Sequence, residues 1–86
     1  MTADERFKEL GYDKKSDNYC ALTYSMPMGY VPKGCVEELV SIDIVFYKWG
    51  HTVRKLKCFK ASSYRTACTK EELTAIKLKK KEMGWE

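Results

Sequence analysis

The side chains of this chain with reactive chemistry are four cysteines, at positions 20, 35, 58 and 68, and one histidine, His51. A zinc site sets two of its ligands two to four residues apart, so that one tight turn presents both sulfurs. No two cysteines here are that close. Cys20 and Cys58 fall inside apolar strand patterns, where a thiol behaves as a small hydrophobe, so the cysteines read as buried free thiols ahead of a disulfide or a metal site. A nucleophile and base pair would have to use His51, which falls in a turn away from the cysteine-bearing strands. The adjacent carboxylates Glu37 and Glu38, and Glu71 and Glu72, point to opposite faces of a strand or splay apart on a helix. The glycine spacings match no phosphate-cradling loop. Nothing in the pattern assembles a catalytic centre, a metal site or a cofactor site, and the chain is expected to be non-enzymatic.

Binding chemistry is better represented. Arg54, Lys55, Lys57 and Lys60 interleave with Tyr47, Trp49 and Phe59, a combination that offers phosphate contacts and stacking platforms; Lys77 and Lys81 extend it on the last helix. Charge is uneven: residues 1–43 carry a net −3 and residues 44–86 a net +7, for +4 overall. Lysine-rich helices are also ordinary solvated surface, and late-helix lysines complement the helix dipole without a ligand. A second set, Met28, Tyr30 and Val31 in an irregular stretch with Trp49 and His51 in a turn, suits a protein partner, because large aromatic side chains commonly dominate binding energy. This protein-binding reading leads. Trp85 is expected to pack back on the last helix and the sheet.

The elements that must position these residues are bounded by a repeated signal. Lys8-Glu9-Leu10-Gly11-Tyr12 and Lys81-Glu82-Met83-Gly84-Trp85 each read as a helix stopped by a left-handed glycine, with an aromatic folding back on the apolar side. Thr2 stands three residues before Glu5 and Thr69 three before Glu72, the spacing of a reciprocal capping box. Helices are therefore predicted over residues 3–10 and 70–83. The second should bury a stripe of Leu73, Ile76, Lys80 and Met83, with Lys77 and Lys81 facing solvent.

Between them, residues 13–17 are a polar connector and residues 18–26 a strand, with Cys20, Leu22, Tyr24 and Met26 on one face. Residues 26–35, with two prolines and two glycines, read as a shaped loop. Residues 39–48 and 52–59 form a hairpin. A three-residue turn of Trp49, Gly50 and His51 would set Ile44 opposite Leu56 and Ile42 opposite Cys58, and keep the lysines off the apolar face. Residues 61–68 are a polar connector. The order is α-β-β-β-α, an α+β two-layer domain with a three-stranded antiparallel sheet. The strand at residues 19–26 is an edge that could pair with its copy in a homodimer.

At 86 residues and 44% apolar content the chain supports one small domain. No apolar run approaches the roughly 18 residues that span a bilayer, and Asp4, Glu5 and Arg6 stand where a signal peptide would be apolar. No membrane association is expected, and the expected compartment is the cytoplasm.

The early Phe7-x-x-Leu10-Gly11-Tyr12 with the late Glu72-Leu73-Thr74-Ala75-Ile76 and Glu82-Met83-Gly84-Trp85 resembles a loose group of small uncharacterised proteins encoded by phages and prophages of Firmicutes. The resemblance implies helices framing a strand meander, and a host cytosol as the compartment. It implies no activity, cofactor or site residue.

Overall fold

A computed structural model describes the backbone of residues 1–34, 36–60 and 62–85, and the side chains of these residues outside 31–33 and 36–37. The elements run α1 (Ala3–Glu9), β1 (Asp13–Asp17), β2 (Ala21–Lys33), β3 (Val36–Tyr47), β4 (Thr52–Phe59), β5 (Ser62–Arg65) and α2 (Lys70–Glu82). The strands form one antiparallel meander in the order β1-β2-β3-β4-β5. No helix among the described residues is long and apolar enough to cross a membrane.

Both helices begin and end as the sequence requires. Thr2 and Glu5, and Thr69 and Glu72, form complete capping boxes. At the C-termini, Gly11 (φ +96°) and Gly84 (φ +75°) take the left-handed conformation that side-chain-bearing residues resist. The amides of Tyr12 and Trp85 then bond the carbonyls of Phe7 and Lys80, and those of Gly11 and Gly84 bond Lys8 and Lys81. This is the paired Schellman pattern, which satisfies carbonyls the helix cannot. It also throws the following aromatic back: Tyr12 is buried, and Trp85 packs against the core beside Phe46.

The core lies between the helices and one sheet face. Phe7 of α1 and Ala75 and Ile76 of α2 meet Leu22, Tyr24, Ile42, Ile44 and Phe46. Phe7 stacks on Tyr24 at 4.1 Å and meets Phe46 edge-on at 6.0 Å. Burying rings and β-branched side chains this way provides most of the folding drive in so small a chain.

Among the described residues the sheet has five strands, two more than the sequence pattern supports. Residues 13–17 pair as β1 although all five are exposed. Strands are read from alternating burial, and β1 has none. Asn18 makes the turn into β2, its side-chain oxygen accepting from the amides of Cys20 and Ala21. Cys20 is thus an exposed turn residue, not a buried strand thiol. Residues 62–65, placed in a connector, pair as β5. With β1 outside it, β2 is internal, so the edge proposed for self-pairing at residues 19–26 is already occupied.

The predicted loop at 26–35 is instead the far half of a long hairpin, paired from Gly29↔Val40 to Lys33↔Val36. Proline interrupts a ladder only where its missing donor is needed. Pro27 lies beyond Ser25, the last β2 residue that β1 reaches, where strands tolerate it. A bulge between Pro27 and Gly29 absorbs the extra residue, Met28.

The β3-β4 register also differs by one residue. Ile44 faces Lys55 and Ile42 faces Lys57, with a four-residue connection over residues 48–51. Lys55, Lys57 and Val53 therefore lie on the helix side, while Arg54, Leu56 and Cys58 lie on the helix-free side with Asp43 and Val45. The lysine is accepted because Glu72, on the buried side of α2, supplies its counter-charge. Likewise the buried positions of α2 are Glu72, Ala75 and Ile76, while Leu73 is more than half exposed.

Candidate functional site

The side chains that fix the helices on the sheet are polar as well as apolar. Glu72 accepts from Lys55 Nζ at 2.7 Å, from the Thr69 amide at 2.8 Å and from the Tyr12 hydroxyl. Burial pushes this carboxyl up, but those three donors outweigh it and hold it below the ordinary glutamate value. On α1, Asp4 accepts from the Tyr24 hydroxyl and pairs with Lys14 at 3.1 Å and Lys79 at 3.5 Å. Burial again pushes upward, and the Tyr24, Lys14 and Lys79 contacts carry the net shift down. Burial, reinforced by these carboxylates, raises both tyrosines far above their usual range. These groups are mutually satisfied and structural.

The helix-free sheet face carries a buried carboxylate, Asp43. It accepts from Ser25 Oγ at 2.6 Å and Ser41 Oγ at 3.1 Å, and Lys15 Nζ lies 3.8 Å away. Burial and the nearby Asp43 raise the Cys58 thiol; burial and Glu72 raise Cys68. Both thiols are therefore poor nucleophiles at neutral pH. No group of three His, Cys, Asp or Glu among the described residues is placed to hold a metal ion.

The far half of the β2-β3 hairpin groups three exposed large apolar side chains. β1 pairs with β2 only up to Ser25, and β4 pairs with β3 only down to Ser41, so residues 28–33 and 36–40 continue as a two-stranded arm. At about 3.3 Å per residue the 13 residues of β2 span about 43 Å, nearly the 46 Å long axis of the molecule. On this arm Met28 is 57% exposed, Tyr30 65% and Leu39 48%, with Tyr30 directly opposite Leu39. Val31 lies in the arm opposite Glu38; its side chain is outside the described residues.

The other protein-binding positions predicted from sequence are elsewhere. Trp49 and His51 sit in the β3-β4 connection, at the end of β3 remote from the arm. Trp49 is exposed, whereas His51 stacks on Trp85 at 4.5 Å with rings nearly parallel. One predicted surface is thus two. Leu39 belongs to the arm and was legible only as the start of a strand; its outward direction follows from alternation with Val40 and Ile42.

The basic set does not form one plane. Lys55 is held by Glu72. Lys57 lies on the helix side, over the Phe59 ring. Arg54 lies on the other face, 5.5 Å from the Tyr47 ring. Lys60 is exposed after β4, and Lys77 and Lys81 are exposed on α2. Sequence reasoning missed a different grouping: a 390 Å³ cleft between β4 and α2, whose lining includes Arg54, Arg65 and Lys80. Its members come from three elements, which no local spacing reveals.

Comparison of the chain with protein-family models, with curated proteins and with solved structures returned no match.

Proposed function

We propose that this is a small non-catalytic binding protein, of phage or prophage type, whose β2-β3 arm engages a host or phage protein. What supports the reading is the clustering of exposed Met28, Tyr30 and Leu39 on an arm to which no third strand pairs among the described residues. A two-stranded ribbon is marginal by itself in water, and exposed apolar side chains grouped on one is what a partner surface requires. A Tyr and Leu cross-strand pair also offers the large, low-entropy contact area found at binding hot spots. The nucleic-acid alternative rests on fewer residues, because Lys55 is committed to Glu72 and the remaining cations point to both faces of the sheet.

Affinity capture from host lysate tests the proposal. The wild-type chain should retain one stoichiometric protein, and Tyr30→Ala with Leu39→Ala should lose it while Lys77→Ala with Lys81→Ala keeps it. Retention by the arm variant, or loss with the lysine variant, would count against the arm as the binding surface.

A further inference from the structure

The meander leaves a gap beside α2. β5 covers β4 only from Leu56 to Phe59, and the last bond on that side runs from the Thr66 amide to the Lys55 carbonyl at 2.9 Å. The chain then leaves the sheet for Cys68 and α2. Amide and carbonyl directions repeat every second strand residue, so the N–H and C=O of Val53 point the same way as the Lys55 carbonyl. They face the cleft, where β5 no longer reaches. The open edge over Thr52–Arg54 is about 10 Å long.

The cleft walls suit one kind of occupant. Val53, Leu73 and Ile76 provide an apolar surface, and Leu73 is exposed there for want of a covering group. Arg54 and Arg65, which leave the sheet on its helix-free side at the rim of the cleft, and Lys80 of α2 on the other side provide positive charge; among the described residues no carboxylate lines the cleft and none of the three cations has a carboxylate partner. A phosphate would use the cations alone. An extended acidic peptide would use the free edge, the apolar wall and the charges together: its backbone pairs with Val53, and because side chains of an added strand alternate, those on the helix side lie on Leu73 and Ile76 near the Lys80 ammonium while those on the other side meet the Arg54 and Arg65 guanidiniums.

We infer that the β4-α2 cleft is a second binding site that takes an extended acidic peptide segment as a short added strand on the free edge at Val53. The site is remote from the arm and stands or falls independently of it. A seven-residue acidic peptide with a central valine tests it by calorimetry, alongside the same peptide with every carboxylate changed to its amide. The acidic peptide should bind saturably and the amide form about tenfold or more weakly, the difference that one charge-assisted bond provides. Arg65→Gln and Lys80→Gln should each weaken binding about tenfold, while Lys77→Gln on the exposed face of α2 and Tyr30→Ala on the arm leave it within about twofold. Amide exchange at Val53 should slow when the peptide is added. The inference is overturned if the acidic peptide does not bind, if Lys77→Gln weakens it as much as Lys80→Gln, if the Val53 amide gains no protection, or if a short single-stranded oligonucleotide displaces the peptide at lower concentration.

Discussion

Replacing Lys55 by methionine removes the ammonium from Glu72 while keeping most of the side chain's length. The two side chains are only 13% and 7% exposed, so the carboxylate would be left with the Thr69 amide and the Tyr12 hydroxyl and little water. Breaking a buried pair by removing one partner costs about 3–5 kcal/mol. Glu72 can instead take up a proton. At pH 7, against its ordinary value of 4.5, that costs about 3.4 kcal/mol at about 1.36 kcal/mol per pH unit, which caps the cost of stranding the charge. With two donors retained, about 3 kcal/mol is expected, a large share of the 5–15 kcal/mol typical of a domain.

The pH dependence carries the sign. In the wild type the folded value of Glu72 lies below 4.5, so its contribution is present above pH 4.5 and fades as pH falls through the folded value. In the variant burial wins and the folded value rises, so stability is fully present below 4.5 and is lost as pH increases. The deficit measured by urea unfolding should therefore shrink from about 3 kcal/mol at pH 7 to about 1 kcal/mol near pH 4. Adding Glu72→Gln to Lys55→Met should recover more than half of it, since no buried charge is then stranded. A deficit within about 0.5 kcal/mol that does not change with pH would refute the reasoning, because that is how a surface lysine behaves. It would also return Lys55 to the outward face and the hairpin to the register that apolar pairing alone suggests.

Three further outcomes follow from the geometry. Gly11→Ala should destabilise more than Gly84→Ala in thermal melts: both force a side chain into the left-handed region at about 1–2 kcal/mol, but only at Gly11 would the new methyl stand 3.0 Å from Met26 Sδ. In a Cys35→Ser background, a thiol reagent at pH 7.5 should modify exposed Cys20 well before Cys58 and Cys68, whose thiols burial raises; equal rates would contradict their placement. Tyr30→Ala, on an exposed arm position, should change unfolding free energy by no more than about 0.5 kcal/mol, and a larger loss would make Tyr30 a folding residue instead of a surface one.

What was legible in the sequence was local. The capping boxes and glycine stops depend on residues three to six apart, and Thr2 with Glu5, Gly11 and Gly84 do what their spacing requires. The α+β class followed from them and from the apolar alternation of residues 39–47. β1 was not legible because Asp13-Lys14-Lys15-Ser16-Asp17 buries nothing, so no periodicity marks it. The arm was hidden by Pro27, Gly29 and Pro32, which signal a loop unless the strand is free on one side. The register was misread because apolar pairing was weighed without Glu72, 17 residues beyond Lys55 and reachable only through tertiary structure. The binding candidates were split the same way: Met28 and Tyr30 were recognisable by type, but their separation from Trp49 and His51 is a consequence of the long hairpin.

The role proposed for the arm is contact with a protein partner. A photoreactive phenylalanine at position 30, and separately at 39 and 77, with irradiation in host lysate, tests it most directly. One discrete protein adduct shared by positions 30 and 39, and none from position 77, is expected. Adducts from position 77 alone, or nucleic acid in place of protein at any of the three, would contradict it.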